Sequence, residues 1–493
     1  MNAPLLQDLA PSQLPERARA LLESGGRLQM AYAWFPDGAI ELRYLAAARP
    51  KVFEIWRVRP ENGTAPSLAA VAPLLSWYER EIADLCGVRF EGHPEPDPLV
   101  LLPGARASAP PLTPGADLRI DYTPQFARLP EIAGPDRADV QVLPFGPVRG
   151  DVLESAQFLF LYIGEAILHY LPKLFFKHRG MEKRFEGLNA PFAPVLAERV
   201  SGVDSVAHAL ACCQALEAAA GCAVPPRAHW LRVLLAELER LYNHLHYLGH
   251  LCHTTTLKVG EAQGKYLEEL AKQINGRLAG SRFLRGLVIP GGLHREPRLD
   301  GLRESLARLQ EQFAPYAEML ETSTTHLDRL ITTGVLPRRT AFDQGATGPI
   351  ERASGLDRDL RRDHPYAAYD ELKFPVALRT AGDAHARQQV RLAEIESSLA
   401  LIRAVLDELP EGPVHAECTP PPGSEGLGWA ESPRGSLYYA VHVGSDGRIA
   451  RMKIKSPSFS NWRAFPFTVH DTNMMDYAID EASFGLTVAG CDR

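Results

Sequence analysis

Apolar residues recur at three- and four-residue spacing through five long segments, residues 201–220, 229–252, 261–278, 298–333 and 384–409. That period predicts helices, each with a face that must be buried against its neighbours. A chain with this pattern is committed to a helical body through most of its length. Two β features flank it. Residues 157–163 alternate like a strand, and 436–454 read as a hairpin turning at Asp446-Gly447. The first hundred residues differ in kind. QMAYAWF, AIELRYLA and VFEIWRVRP are short aromatic and β-branched runs that predict strands, and residues 74–86 predict a helix stopped by Gly87. An aperiodic stretch rich in Pro, Gly and Ala then reads as a linker. The expected fold class is α+β: a small α+β domain over 1–102, a linker over 103–140, and a mainly helical domain over 141–493 with small β elements at its start and near its C-terminus.

Composition narrows the function classes. Among 493 residues, 53 Lys and Arg against 60 Asp and Glu leave a formal charge of −7, which argues against a nucleic-acid binder. Seven scattered cysteines do not make a disulfide framework, and none stand at C-x-x-C spacing. The N-terminus lacks the basic and apolar regions of a signal peptide. The most apolar window, 158–176, is interrupted by Glu165, His169, Pro172 and Lys173, so it does not read as a spanning helix. Membrane association is therefore expected through partners. Neither nucleotide fingerprint is present, and the glycine-rich GATGPIERASG (345–355) lacks the phosphate-binding Lys. H-E-x-x-H and G-x-S-x-G are also missing. His246, His250 and His253 share a helix face at i, i+4 and i+7, a pattern that suits either a Zn²⁺ or Cu²⁺ site or a polar interfacial stripe.

Longer motifs carry a family resemblance. LLSWYEREIADLCGVRFEGHPEPDPLVLLP, with Glu79, Glu81, Asp84, Gly87, Gly92, His93 and Pro94, resembles the small peripheral-arm subunit of respiratory complex I. From Val142 onward GPVRGDVLES, HRGMEKRFEG, AERVSGVDSVAH, PPRAHWLRVLLAELERLYNHL, TGPIERASGLDRDLRRDHPYAAYDE and the terminal DYAIDEASFGLTVAGCDR resemble two related proteins. These are the large subunit of group 4 membrane-bound nickel–iron hydrogenases and the quinone-site subunit of complex I. A fusion of the two parts is typical of the hydrogenase-4 and formate hydrogenlyase type. The resemblance implies an oxidoreductase subunit on the cytoplasmic face of the inner membrane, held there by membrane-arm subunits. It also implies an iron–sulfur small subunit as partner.

The departures from the family pattern bear on the chemistry. Nickel–iron hydrogenases present two C-x-x-C pairs, because four thiolates hold the soft metal centre. Ser201 and Asp204 stand where the first pair would fall, and only Cys491 remains of the second. A nickel–iron centre is not expected, and no metal or cofactor is expected on the chain itself. Quinone is the implied substrate. In complex I the cavity uses a His and a Tyr as proton donors; Arg149 occupies the place of the His, and His208 that of the Tyr. Arg149 would hold an oxygen through its planar donors, His208 would donate a proton, and Asp204 would orient or recharge it. His178 and Arg179 match a segment that lies near the partner's terminal iron–sulfur cluster. Glu165 would pair with a basic residue or join a proton path. The competing readings are a non-catalytic coupling subunit, in which Arg149 and Asp204 plug a vestigial nickel cavity, and an active hydrogenase.

Overall fold

The structure, a computed structural model, describes residues 4–49, 51–102, 104–122, 139–148, 154–470 and 472–493. Near the N-terminus, β1 (Leu5–Leu9), β2 (Arg27–Trp34), β3 (Glu41–Arg49) and β4 (Val52–Val58) form one sheet in the order β1-β4-β3-β2. β1 runs parallel to β4, and the other pairs are antiparallel. The helices α1 (Leu14–Glu23) and α2 (Ser76–Cys86) accompany this sheet. α2 stops where Gly87 turns left-handed at φ 79°, a conformation open to glycine at little cost.

The second part opens with a meander of β5 (Gln141–Phe145), β6 (Gln157–Ile163) and β7 (Ala166–Lys173), with β6 central. The helical body follows: α3 (Ser205–Ala220), α4 (Pro226–Thr254), α5 (Lys258–Ala279), α6 (Leu302–Thr322) and α7 (Ala384–Glu408). The segment expected as one helix over 298–333 is divided. Ser323, at ψ 98°, ends α6 before a short helix Thr324–Leu330 begins. An antiparallel sheet of β8 (Glu425–Ser432), β9 (Gly435–Val443) and β10 (Ile449–Lys455) then leads into α8 (Pro457–Ala464), α9 (Tyr477–Phe484) and α10 (Val488–Asp492). The β9–β10 hairpin turns at Gly447, φ 77°. The whole is α+β, as expected from the sequence.

Helix α3 sits at the centre and is almost entirely buried. Its small residues let β8 lie directly on its backbone. A Cβ at Gly428 would stand 2.1 Å from the Ala211 carbonyl oxygen, and one at Gly426 would stand 2.0 Å from that of Ala215. Helices α4 and α5 meet in the same way at Gly249 and Gly264. The glycine-rich loop before Pro349 is likewise a packing element, since a Cβ on Gly348 would come within 2.5 Å of the Gly435 Cα.

The N-terminal sheet is tied to the helical part by buried ions. Arg27 pairs with Glu351 at 3.3 Å, and Glu81 takes Lys453 at 2.6 Å and Arg493 at 2.8 Å. Apolar packing is continuous across the two, with Phe53 stacked on His364 at 3.9 Å and edge-on to Trp429. Among the described residues no helix is long and apolar enough to cross a membrane.

Candidate functional site

The N-terminus of α3 gathers the polar residues that the sequence singles out. Asp204 is the residue before the helix, and its backbone carbonyl accepts the first helical bond from His208 N–H at 3.0 Å. Its carboxylate takes Ser201 Oγ–H at 3.0 Å and Arg434 Nη1–H at 2.9 Å. Arg434 also donates to Asn243 Oδ1 at 2.7 Å and to the Gly485 carbonyl at 2.8 Å. Glu239, from α4, accepts the free N–H groups of Val206 and Ala207 at 2.6 and 2.9 Å. Two carboxyl groups thus converge on one helix start; its unpaired N–H groups and dipole favour negative charge, while burial and the neighbouring Asp204 charge push Glu239 well above the usual carboxylate range.

His208 lies one turn inside α3 and is fully buried. Nδ1 and the Tyr439 hydroxyl are 2.7 Å apart, while Nε2 has no hydrogen-bond partner. Burial pushes the imidazole down to about 4; the Asp204 charge pulls it upward only in part. At neutral pH the ring is therefore uncharged, one nitrogen carrying hydrogen and the other a lone pair. With Tyr439 donating to Nδ1, Nε2–H is left to donate to an acceptor oxygen. A neutral ring here differs from the cationic acid that the ordinary imidazole pKa suggests, and it offers Nε2 as a donor when Tyr439 donates to Nδ1 and as an acceptor when Nδ1–H donates to Tyr439. Arg149 lies outside the described residues.

Arg179 joins two segments far apart in sequence. Its guanidinium donates to the carbonyls of Arg199 at 2.9 Å, Val200 at 2.6 Å and Ala489 at 2.8 Å. His178 Nδ1 lies 2.7 Å from the Asp492 carbonyl. Glu154 accepts the Val488 and Ala489 N–H groups at 2.5 and 3.0 Å. The start of α3 and the start of α10 are thereby held side by side, and a Cβ on Gly490 would lie 3.6 Å from the Ser201 Cβ. Cys491 is buried in α10. Sequence reasoning missed Tyr439, Arg434 and Glu239. The last sits in the quoted AELERLYNHL, but nothing in its spacing pointed to the α3 terminus.

Beneath the site lies a buried ionic cluster. Glu394 on α7 accepts from Arg352 at 2.7 Å and from Arg240 at 3.4 Å, and its Oε2 lies 2.8 Å from His244 Nε2. Arg361 spans Asp359 at 2.7 Å and Glu237 at 3.1 Å. The other candidates lie elsewhere. His246, His250 and His253 stack along an exposed face with centroids 6.3 and 6.2 Å apart, and Glu268 and Glu261 take His246 and His253 at 3.0 Å. Glu165 accepts from the Asn473 amide at 3.0 Å.

The central helix with polar groups at its start, the C-terminal helix docked beside it and the preceding three-stranded meander belong to a chain that matches the large subunits of nickel-dependent hydrogenases and of complex I. Three family models match: the respiratory-chain NADH dehydrogenase 30 Kd subunit over 11–124, nickel-dependent hydrogenase over 179–280, and the respiratory-chain NADH dehydrogenase 49 Kd subunit over 267–423 and 416–493. The chain belongs to the family of fused 30-kDa/49-kDa complex I subunits, in which hydrogenase-4 and formate hydrogenlyase components are close relatives.

Among the relatives, hydrogenase-4 component G of Escherichia coli (strain K12) is 32% identical over 435 residues, covering 87% of this chain and 76% of its own. Formate hydrogenlyase subunit 5 of the same organism is 31% identical, covering 87% and 77%. The fused C/D subunit of NADH-quinone oxidoreductase from Gluconacetobacter diazotrophicus is 31% identical over 492 residues, covering 88% and 80%. A solved structure of the membrane-bound sulfane sulfur reductase, an archaeal respiratory membrane complex, matches 73% of this chain and 100% of its own. Its TM-score is 0.68 at 25% identity.

Proposed function

We propose that the chain is the large subunit of a complex I-like, membrane-associated redox complex. It takes electrons from a partner iron–sulfur subunit and delivers them to quinone, or a similar two-electron acceptor, beside His208. Attachment to the cytoplasmic face of the membrane is through membrane-arm subunits, and reduction is coupled there to proton or cation movement. The family of the chain supports the first part of this reading. The observation that carries the second is the buried His208, fixed by Tyr439 at Nδ1 with Nε2 unengaged. A buried polar nitrogen left without a partner costs about 1–3 kcal/mol, a cost that a bound carbonyl would remove. Arg149 is proposed as a second donor to that oxygen.

The donor set does not suit a nickel–iron centre. Asp204 is already bound by Ser201 and Arg434, and Cys491 is the one thiol among the four positions of the two cysteine pairs. Four converging thiolates are what such a centre requires. The pairing of Asp204 with Arg434 also favours a second reading, a coupling subunit whose former metal cavity is closed by a neutralised ion pair.

Photolabelling separates the two. A photoreactive quinone analogue added to the purified whole complex is expected to label peptides around His208 or Tyr439, with label displaced by unreactive quinone. Labelling confined to other subunits would favour the coupling role.

A further inference from the structure

Away from His208, a cavity of about 490 Å³ lies between the N-terminal sheet, the C-terminal end of α3, the start of α4 and strands β8 and β9. It falls within the range of roughly 300–1,000 Å³ usual for small-molecule sites. Much of its wall is apolar or aromatic, including Ile55, Tyr366, Leu427 and Trp429.

Two histidines on this wall have idle ring nitrogens. His442 on β9 is 1% exposed and lies flat on Trp34, centroids 4.0 Å apart and planes 13° apart. Neither of its ring nitrogens has a hydrogen-bond partner. Glu425 Oε1 lies 3.2 Å from Nδ1 without closing a hydrogen bond to it, and Arg43 holds that carboxylate at 2.5 and 3.0 Å. His229, in the first turn of α4, leaves a buried Nδ1 without a partner. Burial pushes both imidazoles down to about 4, so each is neutral and offers one donor and one acceptor. Arg43 is the only cation among the lining residues, and Glu41 and Glu425 neutralise it, the former at 2.7 Å. Asp370 adds negative charge to the wall, while Glu217 is neutralised by Arg232 at 2.5 and 3.0 Å. The lining is hostile to an anion and suited to a flat, uncharged molecule.

We propose that this cavity binds an uncharged one- or two-ring heteroaromatic molecule carrying both a hydrogen-bond donor and an acceptor, held by the free ring nitrogens of His442 and His229. The site stands apart from the His208 reading and does not depend on it.

Benzimidazole is a suitable probe, with benzoate as the anionic control, titrated into the purified whole complex by calorimetry and ligand-observed NMR. Benzimidazole is expected to bind at least tenfold more tightly than benzoate. His442→Phe keeps the stack on Trp34 but removes both nitrogens, and is expected to weaken binding at least tenfold. His229→Leu, at a less buried position, is expected to do the same and carries the test should His442→Phe fail to fold. Absence of benzimidazole binding to the parent, equal binding of benzoate, or binding unchanged in both variants would overturn the proposal and leave a cavity that holds water only.

Discussion

Glu394 serves two cationic partners at once, Arg352 and Arg240, and lies 2.8 Å from the ring of His244, which burial holds neutral with its pKa down to about 4. All four groups are buried. Removing one member of such a cluster strands the others in a medium that solvates them poorly, so Glu394→Ala is expected to destabilise the chain by about 3–5 kcal/mol. Denaturant unfolding of the variant measures this.

Glu79 on α2 is a different kind of buried carboxyl, held by Leu68 N–H at 2.7 Å and Ser67 Oγ–H at 2.5 Å. Burial pushes it from 4.5 up to about 7, despite those bonds. The unfolded chain then loses this proton near pH 4.5, while the folded chain keeps it until about 7. Stability from this group falls as pH rises through that window, by about 3 kcal/mol in all. Glu79→Gln is expected to remove that slope. Parent and variant unfolding free energies, compared at pH 4.5 and 8, check it; a constant difference would contradict the assignment.

Residue-level chemistry was only partly legible in the sequence. His208 and Asp204 stand in a family motif, but their partners Tyr439 and Arg434 come from a hairpin some 230 residues away. No local period announces such a pairing.

The elements were more legible than the side chains that serve the site. Helices expected over 201–220, 229–252, 261–278 and 384–409 are found as Ser205–Ala220, Pro226–Thr254, Lys258–Ala279 and Ala384–Glu408. The first starts late because Asp204 adopts φ −113°, ψ 37°, outside the helix. Strand β8 was not legible. Its GLGWAES core looks like a loop, since glycine weakens a strand. Those glycines serve the contact with α3, where a side chain would meet helix backbone. Gly428→Ala is expected to cost about 1–3 kcal/mol or more through overpacking. It would shift α3, and with it His208, so acceptor turnover is expected to fall alongside the unfolding midpoint. Unchanged stability and turnover would show that the strand–helix contact is not tight.

At the scale of the whole molecule, the two parts meet through buried charge. Glu81 of α2 holds Lys453 of β10 and Arg493, which also pairs with Glu182 at 3.2 Å and lies over Phe459 at 4.4 Å. Glu81→Ala leaves both cations short of a counter-charge and is expected to cost about 3–5 kcal/mol. Tryptophan fluorescence is the readout, with Trp56 and Trp77 reporting the N-terminal part and Trp429 and Trp462 the remainder. The parent is expected to unfold in one transition, and the variant at a lower midpoint. A variant that unfolds like the parent would show that apolar packing alone joins the parts. The α+β class, the helical body and the two flanking β features follow from periodicity. The seam does not, because ion pairs between residues 372 and 412 apart leave no local mark.

On the proposed function, an electron acceptor binds at His208 Nε2. The most direct test is steady-state reduction of a short-chain quinone analogue by the purified whole complex, parent against His208→Phe, with assembly checked by gel electrophoresis of the intact complex. Turnover is expected in the parent, with a loss of at least tenfold in the variant while assembly stays intact. Equal rates in parent and variant, or no turnover in an assembled parent supplied with electrons, would contradict the proposed function.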